Sequence, residues 1–265
     1  MRSRGSISRA LALAAVIMLV PTAATQALAT RPKCFELRAS ILGTGGDDVI
    51  RGTSGADVIH TGRGDDVISG RGGVDFICSG PGDDRVKGND AMDFVDAGAG
   101  RDEIRLGETT VHVRKDETMI FGQVARGGGG ADTLIAAPSV ERPATQRVKV
   151  IDREALSGQG GNDVLIGGEG FDVLDGGEGH DQLFGAGERD RLLGRQGDDI
   201  IDGGDGNDTI ESGDGNDAST GSIGDDFVFG RRGDDSLDGG EGVDELNGGV
   251  GLDSCLNGEL LLLCE

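Results

Sequence analysis

The chain has no tryptophan and no tyrosine, and aromatic residues make up only 3% of it. Together with high charge and abundant glycine, that scarcity is the composition of a disordered segment unless a regular pattern overrides it. Catalytic signatures are missing too. There is no H-E-x-x-H, no G-x-S-x-G and no C-x-x-C, so a zinc protease, a serine hydrolase and a thiol redox centre all lack their usual marks. Glycine-rich strings are present, but without the lysine and strand–helix setting of a phosphate loop. Long apolar runs are absent: Ala10–Val20 has eleven residues and Leu260–Leu263 four, too few for a helix to cross a bilayer. Basic residues are scarce, 25 Lys and Arg against 48 Asp and Glu, for a net charge of -23. Such a chain is repelled by nucleic acid and by anionic membranes, and it attracts cations.

The N-terminus reads as a targeting segment. Arg2, Arg4 and Arg9 precede the apolar run, Pro21 breaks it, and Ala27-Leu28-Ala29 offers small residues for cleavage after Ala29. The alternative, a retained membrane anchor, is opposed by the shortness of the run. Residues 1–29 are therefore expected to be a signal peptide, and the mature protein to be secreted and extracellular. Four cysteines, Cys34, Cys78, Cys255 and Cys264, fit disulfides in that setting better than free thiols or a zinc site. Of three possible connectivities, Cys34–Cys78 with Cys255–Cys264 is expected, since each pair then closes one end of the chain.

What is present is glycine, 51 residues of it, and it is periodic. From Gly43 the chain divides into nines: GTGGDDVIR, GTSGADVIH, TGRGDDVIS, GRGGVDFIC, SGPGDDRVK, GNDAMDFVD and AGAGRDEIR, ending at Arg105. A second block of eleven nines runs from Gly158 (GQGGNDVLI) to Leu256 (GGVGLDSCL). The sixth position is Asp in all eighteen: Asp48, Asp57, Asp66, Asp75, Asp84, Asp93 and Asp102, then Asp163, Asp172, Asp181, Asp190, Asp199, Asp208, Asp217, Asp226, Asp235, Asp244 and Asp253. The fourth is Gly except at Ala91 and Glu188, and the eighth is Ile, Leu or Val except at Ser219 and Cys255. Compositional drift does not hold an acid and an aliphatic in one register for so long, so disorder is set aside. Between the blocks, 106–157 loses the register. It carries one isolated repeat, Gly127–Ile135 with Asp132, a strand-like alternation at Thr110–Arg114, and a proline-containing loop at 136–146. It reads as an irregular insertion or hinge, or alternatively as decayed repeats that continue the stack.

The G-G-x-G-x-D-x-U-x pattern, with U aliphatic, resembles the nonapeptide repeat of the RTX, or haemolysin-type, calcium-binding proteins. The residues suit that likeness: glycines permit tight, partly left-handed turns, and the aliphatic and β-branched positions suit short strands. The resemblance implies an all-β fold, a parallel β-roll or solenoid in two stacks with little or no helix in the mature chain, two repeats making each turn. Aspartates eighteen residues apart then lie one rung apart, about 4.8 Å. Empty, such carboxylates repel; Ca²⁺, which takes six to eight oxygens in a flexible shell, reverses that sign. Zinc prefers His or Cys, and His60, His112 and His180 are scattered. The resemblance thus implies Ca²⁺ as cofactor, bound by the aspartates above and by Asp132, at no more than fourteen sites of the family type. Burial of one aliphatic per repeat falls short of the backbone entropy of ordering so glycine-rich a chain, so the repeats are expected to be largely disordered until calcium binds. Extra acids at position five, such as Asp47 and Asp65, read as solvated surface, and Ala91 and Glu188 as weakened turns.

The expected organisation is a cap at 30–42, repeats at 43–105, the irregular segment, repeats at 158–256, and a cap at 257–265 whose leucines fold over the open end of the core. No enzyme is expected, because nothing outside the repeats is large enough for a catalytic domain. The expected function is secreted calcium binding. The alternative is an extracellular adhesin or interaction module in which calcium is only structural, with the basic residues of 106–157 as a contact for an unknown surface partner. Neither nucleic acid nor membrane insertion is expected.

Overall fold

A computed structural model describes residues 32–107, 119–120, 124–135, 150–151 and 155–264. The expected signal peptide, the Thr110–Arg114 alternation and the 136–146 loop lie outside the described residues. The described chain is all strand and turn, with no helix. Two parallel sheets face each other: one of eleven strands from Val49–Arg51 to Ser254–Leu256, and one of twelve from Ile41–Leu42 to Leu260–Leu262. Successive strands of a sheet are eighteen residues apart, as in Val49↔Val67 and Val58↔Phe76, so two nonapeptides make one turn of the roll.

Strands cover more of the repeat than the aliphatic positions alone suggest. Most run six residues, from position seven to position three of the next repeat, as in Val67–Gly72 and Ile200–Asp205. Alternation along them points positions eight and one inward. The core is built from the position-eight side chains of both sheets from Ile59 to Leu246, each at most 1% exposed except where Ser219 stands, with Ala97 and Leu106 from position one among them. Position one is mostly glycine, where an added Cβ would meet the aspartate of its own repeat and the backbone of the next rung, as at Gly70; Thr61, Ser79, Ala97 and Leu106 are buried exceptions. A departure there is matched by a second: Ser212 replaces the glycine, Ser219 replaces the aliphatic, and their hydroxyls hydrogen-bond inside the core at 2.8 Å.

The two repeat blocks share one pair of sheets. Thr133–Ile135, from the isolated repeat, pairs with Glu103–Arg105 on one side and Val164–Ile166 on the other. Val124–Gly129 likewise joins Phe94–Ala99 to Ala155–Gly160. Asp102 and Asp132 are 30 residues apart, and Asp132 and Asp163 are 31, where the repeat requires 18. Insertions of 12 and 13 residues therefore interrupt successive turns while the stack carries on. Each falls where the chain passes from the first sheet to the second, and they meet in a short parallel ladder, Met119–Ile120 with Val150–Ile151. Within 106–157 the described strands Val124–Gly129 and Thr133–Ile135 thus continue the stack.

Both expected disulfides form, Cys34–Cys78 and Cys255–Cys264. The first holds the hairpin Lys33–Cys34/Leu37–Arg38 against the roll, where Phe35 packs on Phe76 and Phe94, themselves stacked with centroids 4.8 Å apart. The C-terminal leucines differ from expectation. Leu260–Leu262 adds a last rung beside Glu245–Asn247, and its three side chains remain exposed. A strand continuing the sheet satisfies the backbone of that run, which a plug folded across the core would not.

Candidate metal centre

The sixth-position aspartates line the two edges of the roll. On the first edge Asp48, Asp66, Asp84, Asp102, Asp132, Asp163, Asp181, Asp199, Asp217, Asp235 and Asp253 follow one another without a break; each backbone N–H donates to Oδ1 of the next at 2.7–3.0 Å. On the second edge Asp57, Asp75 and Asp93 form one run, and Asp172, Asp190, Asp208, Asp226 and Asp244 another. Both insertions lie between these two runs. All but Asp48 are buried.

Each carboxylate that accepts one of these bonds spends Oδ1 on the backbone of the turn before it. In Asp66, Asp75, Asp102, Asp132, Asp163 and the nine from Asp181 to Asp253, Oδ2 is buried and accepts no hydrogen bond. An unsatisfied buried carboxylate oxygen is costly. It faces the first glycine of its own repeat and that glycine's counterpart one rung on: a methyl added to Gly70 would strike both Oδ2 of Asp75 and the carbonyl oxygen of Gly88. The same pair of carboxylate and carbonyl oxygen meets an added methyl at Gly158, Gly176, Gly194, Gly203, Gly221 and Gly230, so the cradle recurs along the roll wherever position one is such a glycine. No three His, Cys, Asp or Glu side chains converge among the described residues, so a cation held here draws on backbone carbonyls as much as on carboxylates. That donor set is all oxygen, which suits a hard cation such as calcium and not zinc.

Burial is the leading cause that pushes these carboxyls above the ordinary acid range, with neighbouring carboxylates adding to it and the backbone N–H bonds opposing it. Asp190 is raised to about 8, Asp102, Asp163 and Asp199 to about 7, and Asp75, Asp132, Asp208, Asp217 and Asp226 to about 6. The repeats hold acids where water cannot stabilise the charge, as a metal site does.

The first turn on each edge is built differently. Thr44 donates to Oδ2 of Asp48 from its N–H (2.6 Å) and its hydroxyl (3.0 Å), and that hydroxyl accepts the N–H of Gly46. Thr53 does the same for Asp57, with Gly55 in place of Gly46. Sequence reading did not single out these threonines, although both stand at position two of their repeats. The position-five acids are exposed but not merely solvated. Asp47 accepts the N–H of Asp65, and Asp65 that of Asp83, so they brace the first edge in the direction opposite to the sixth-position ladder. Glu259 closes the second edge by accepting the N–H of Asp244 at 2.7 Å, where an eighteenth-residue aspartate is missing.

A family model described as the RTX calcium-binding nonapeptide repeat matches residues 42–77, 79–108, 157–192, 184–218 and 220–255, more than half of the chain. No curated protein matches the chain.

Proposed function

The chain belongs to the RTX calcium-binding nonapeptide repeat family, and on that premise we propose that it is a secreted protein whose roll is completed by several Ca²⁺ ions along its two edges. The observation that carries this reading is the row of buried Oδ2 atoms that accept no hydrogen bond. Each ion would take Oδ2 of sixth-position aspartates and carbonyl oxygens of the adjoining glycine turns. When bound, calcium supplies positive charge between carboxylates that otherwise repel. The chain's own part is to hold Oδ1 on the backbone so that Oδ2 is aimed into the cradle. Asp132 joins the two blocks on the first edge, so adjacent aspartates form sixteen pairs rather than fourteen, and that is the new upper bound. The N-terminal signal pattern and two disulfides support an extracellular setting. Binding and scaffolding, rather than catalysis, is the role these features favour.

Calorimetric titration of the mature chain with Ca²⁺, followed in parallel by far-ultraviolet circular dichroism, tests the reading. Several ions bound per chain, with strand signal appearing as they bind, is the expected result. A chain that binds none at millimolar Ca²⁺ and keeps one spectrum throughout overturns it.

A further inference from the structure

Among the described residues no strand covers either end of the roll. Ser254–Leu256 closes one sheet and Leu260–Leu262 the other, and neither has a further strand beside it among the described residues. Leu261 stands in register with the core residue Leu246, yet it is 48% exposed, and Leu256 and Leu260 are 57% and 47% exposed. At the other end Ile41–Leu42 and Val49–Arg51 are likewise edge strands, with Val49 75% exposed. Uncovered edges of this kind are templates for another strand.

We propose that the occupant is a second copy of this chain, the C-terminal end of one roll docking on the N-terminal end of the next. Three observations choose this partner and this polarity. In a parallel sheet the last strand presents the edge that the first strand of the same sheet is shaped to meet, so each sheet would continue into its own counterpart. The carboxylate ladder has matching loose ends on one edge. Asp253 has no later aspartate to take its N–H, and Oδ1 of Asp48 receives no N–H from an earlier turn among the described residues, while every pair between them is made. Charge opposes the alternative of two C-terminal ends meeting. Residues 233–265 carry nine Asp and Glu and no Lys or Arg, whereas 33–51 carry three of each sign. A joint of this kind is heterologous and does not close, so it grows into open rows.

The proposal rests on the folded roll, and circular dichroism of the chain in Ca²⁺ checks that before any mass is measured; a chain that stays unfolded there defeats the calcium reading instead. Sedimentation equilibrium of the mature wild type in millimolar Ca²⁺ is expected to show masses rising with concentration beyond the dimer. Val49→Lys blocks one end and Leu256→Lys/Leu260→Lys the other, so each variant alone is expected to stay monomeric. Mixed, they retain one good end apiece and are expected to form a one-to-one dimer and nothing larger. A wild type that remains monomeric up to about 1 mM overturns the proposal, and so does a Val49→Lys chain that associates like wild type, which would place the contact between two C-terminal ends. Should the leucine variant lose its last rung, Val49→Lys still decides, because that side chain lies on the surface.

Discussion

The first turn on each edge and the turns stacked behind it share one sequence pattern but satisfy the same carboxylate differently. In the first turn a threonine supplies two donors to Oδ2 of Asp48 or Asp57. In the turns behind, Oδ2 of residues such as Asp75 and Asp199 is buried with none. The threonine hydroxyl stands where a cation would otherwise be wanted, between carboxylate and turn backbone. Oδ2 of the two first turns is thus satisfied within the chain, beside an end braced by Cys34–Cys78 and the Phe35, Phe76, Phe94 cluster, while the interior needs something from outside.

Calcium removal is the harshest way to test that contrast. In EGTA the amides of 158–256 are expected to lose protection throughout, whereas those of 41–60 keep measurable protection in hydrogen exchange read by mass spectrometry. Equal exchange in both regions would show that the threonine turns confer no independence. Acid should partly replace the metal. Carboxyls raised to about 6–8 in the roll titrate near 3.9 when unfolded. Folding therefore takes up protons, and the metal-free roll is most stable below about pH 4 and loses that stability as pH climbs through about 8. Circular dichroism in EGTA should show more strand at pH 5 than at pH 8, and calcium should bind more weakly at the lower pH. A metal-free spectrum that does not change with pH would refute the burial argument.

Single substitutions divide the two regions more finely. Asn is nearly isosteric with Asp and keeps an oxygen for the backbone bond. Asp199→Asn should stabilise the metal-free roll at pH 8 by about 1–3 kcal/mol, since it removes a buried charge, and should raise the calcium concentration needed for folding. Asp48→Asn, in the threonine turn, should do neither, and a calcium titration of both variants shows whether the opposition exists. Thr53→Val removes a hydroxyl donor from the buried Asp57 and should cost about 1–2 kcal/mol, read as faster exchange at 52–60 in EGTA with the number of bound ions unchanged.

Much of this was legible in the chain. An Asp at every sixth position and an aliphatic at every eighth marked the acids and the buried residues from Ile59 to Leu246, and the family resemblance implied the two-repeat turn that sets the acids on two edges. What was not legible depended on contacts between turns. The isolated repeat at Gly127–Ile135 is out of phase in sequence but in phase in space, because insertions at an edge lengthen the path without moving the rung. The pairing of Ser212 with Ser219 could be found only by noting that two irregular positions fall in one turn. The run Leu260–Leu263 looked like a plug because hydropathy does not reveal whether backbone or side chains will be satisfied first.

The smallest effect is expected where the pattern itself is broken. Position four is left-handed in the turns behind the first, and Ala91 and Glu188 adopt it at φ 92° and 66°. A residue with a Cβ is strained there by about 1–2 kcal/mol. Glycine relieves that strain but also frees the unfolded chain, which returns about 0.4–1 kcal/mol. Ala91→Gly and Glu188→Gly should therefore each stabilise the calcium-loaded roll by roughly 0.5–1 kcal/mol. Glu188→Gly also takes a negative charge from beside Asp190, one of the charges that raise that carboxyl, so its gain should be the larger of the two in the absence of metal. Denaturant midpoints of both variants, with and without Ca²⁺, measure this. A loss of stability in either would mean that the neighbouring turns have adapted to the side chain and that the strain is already relieved.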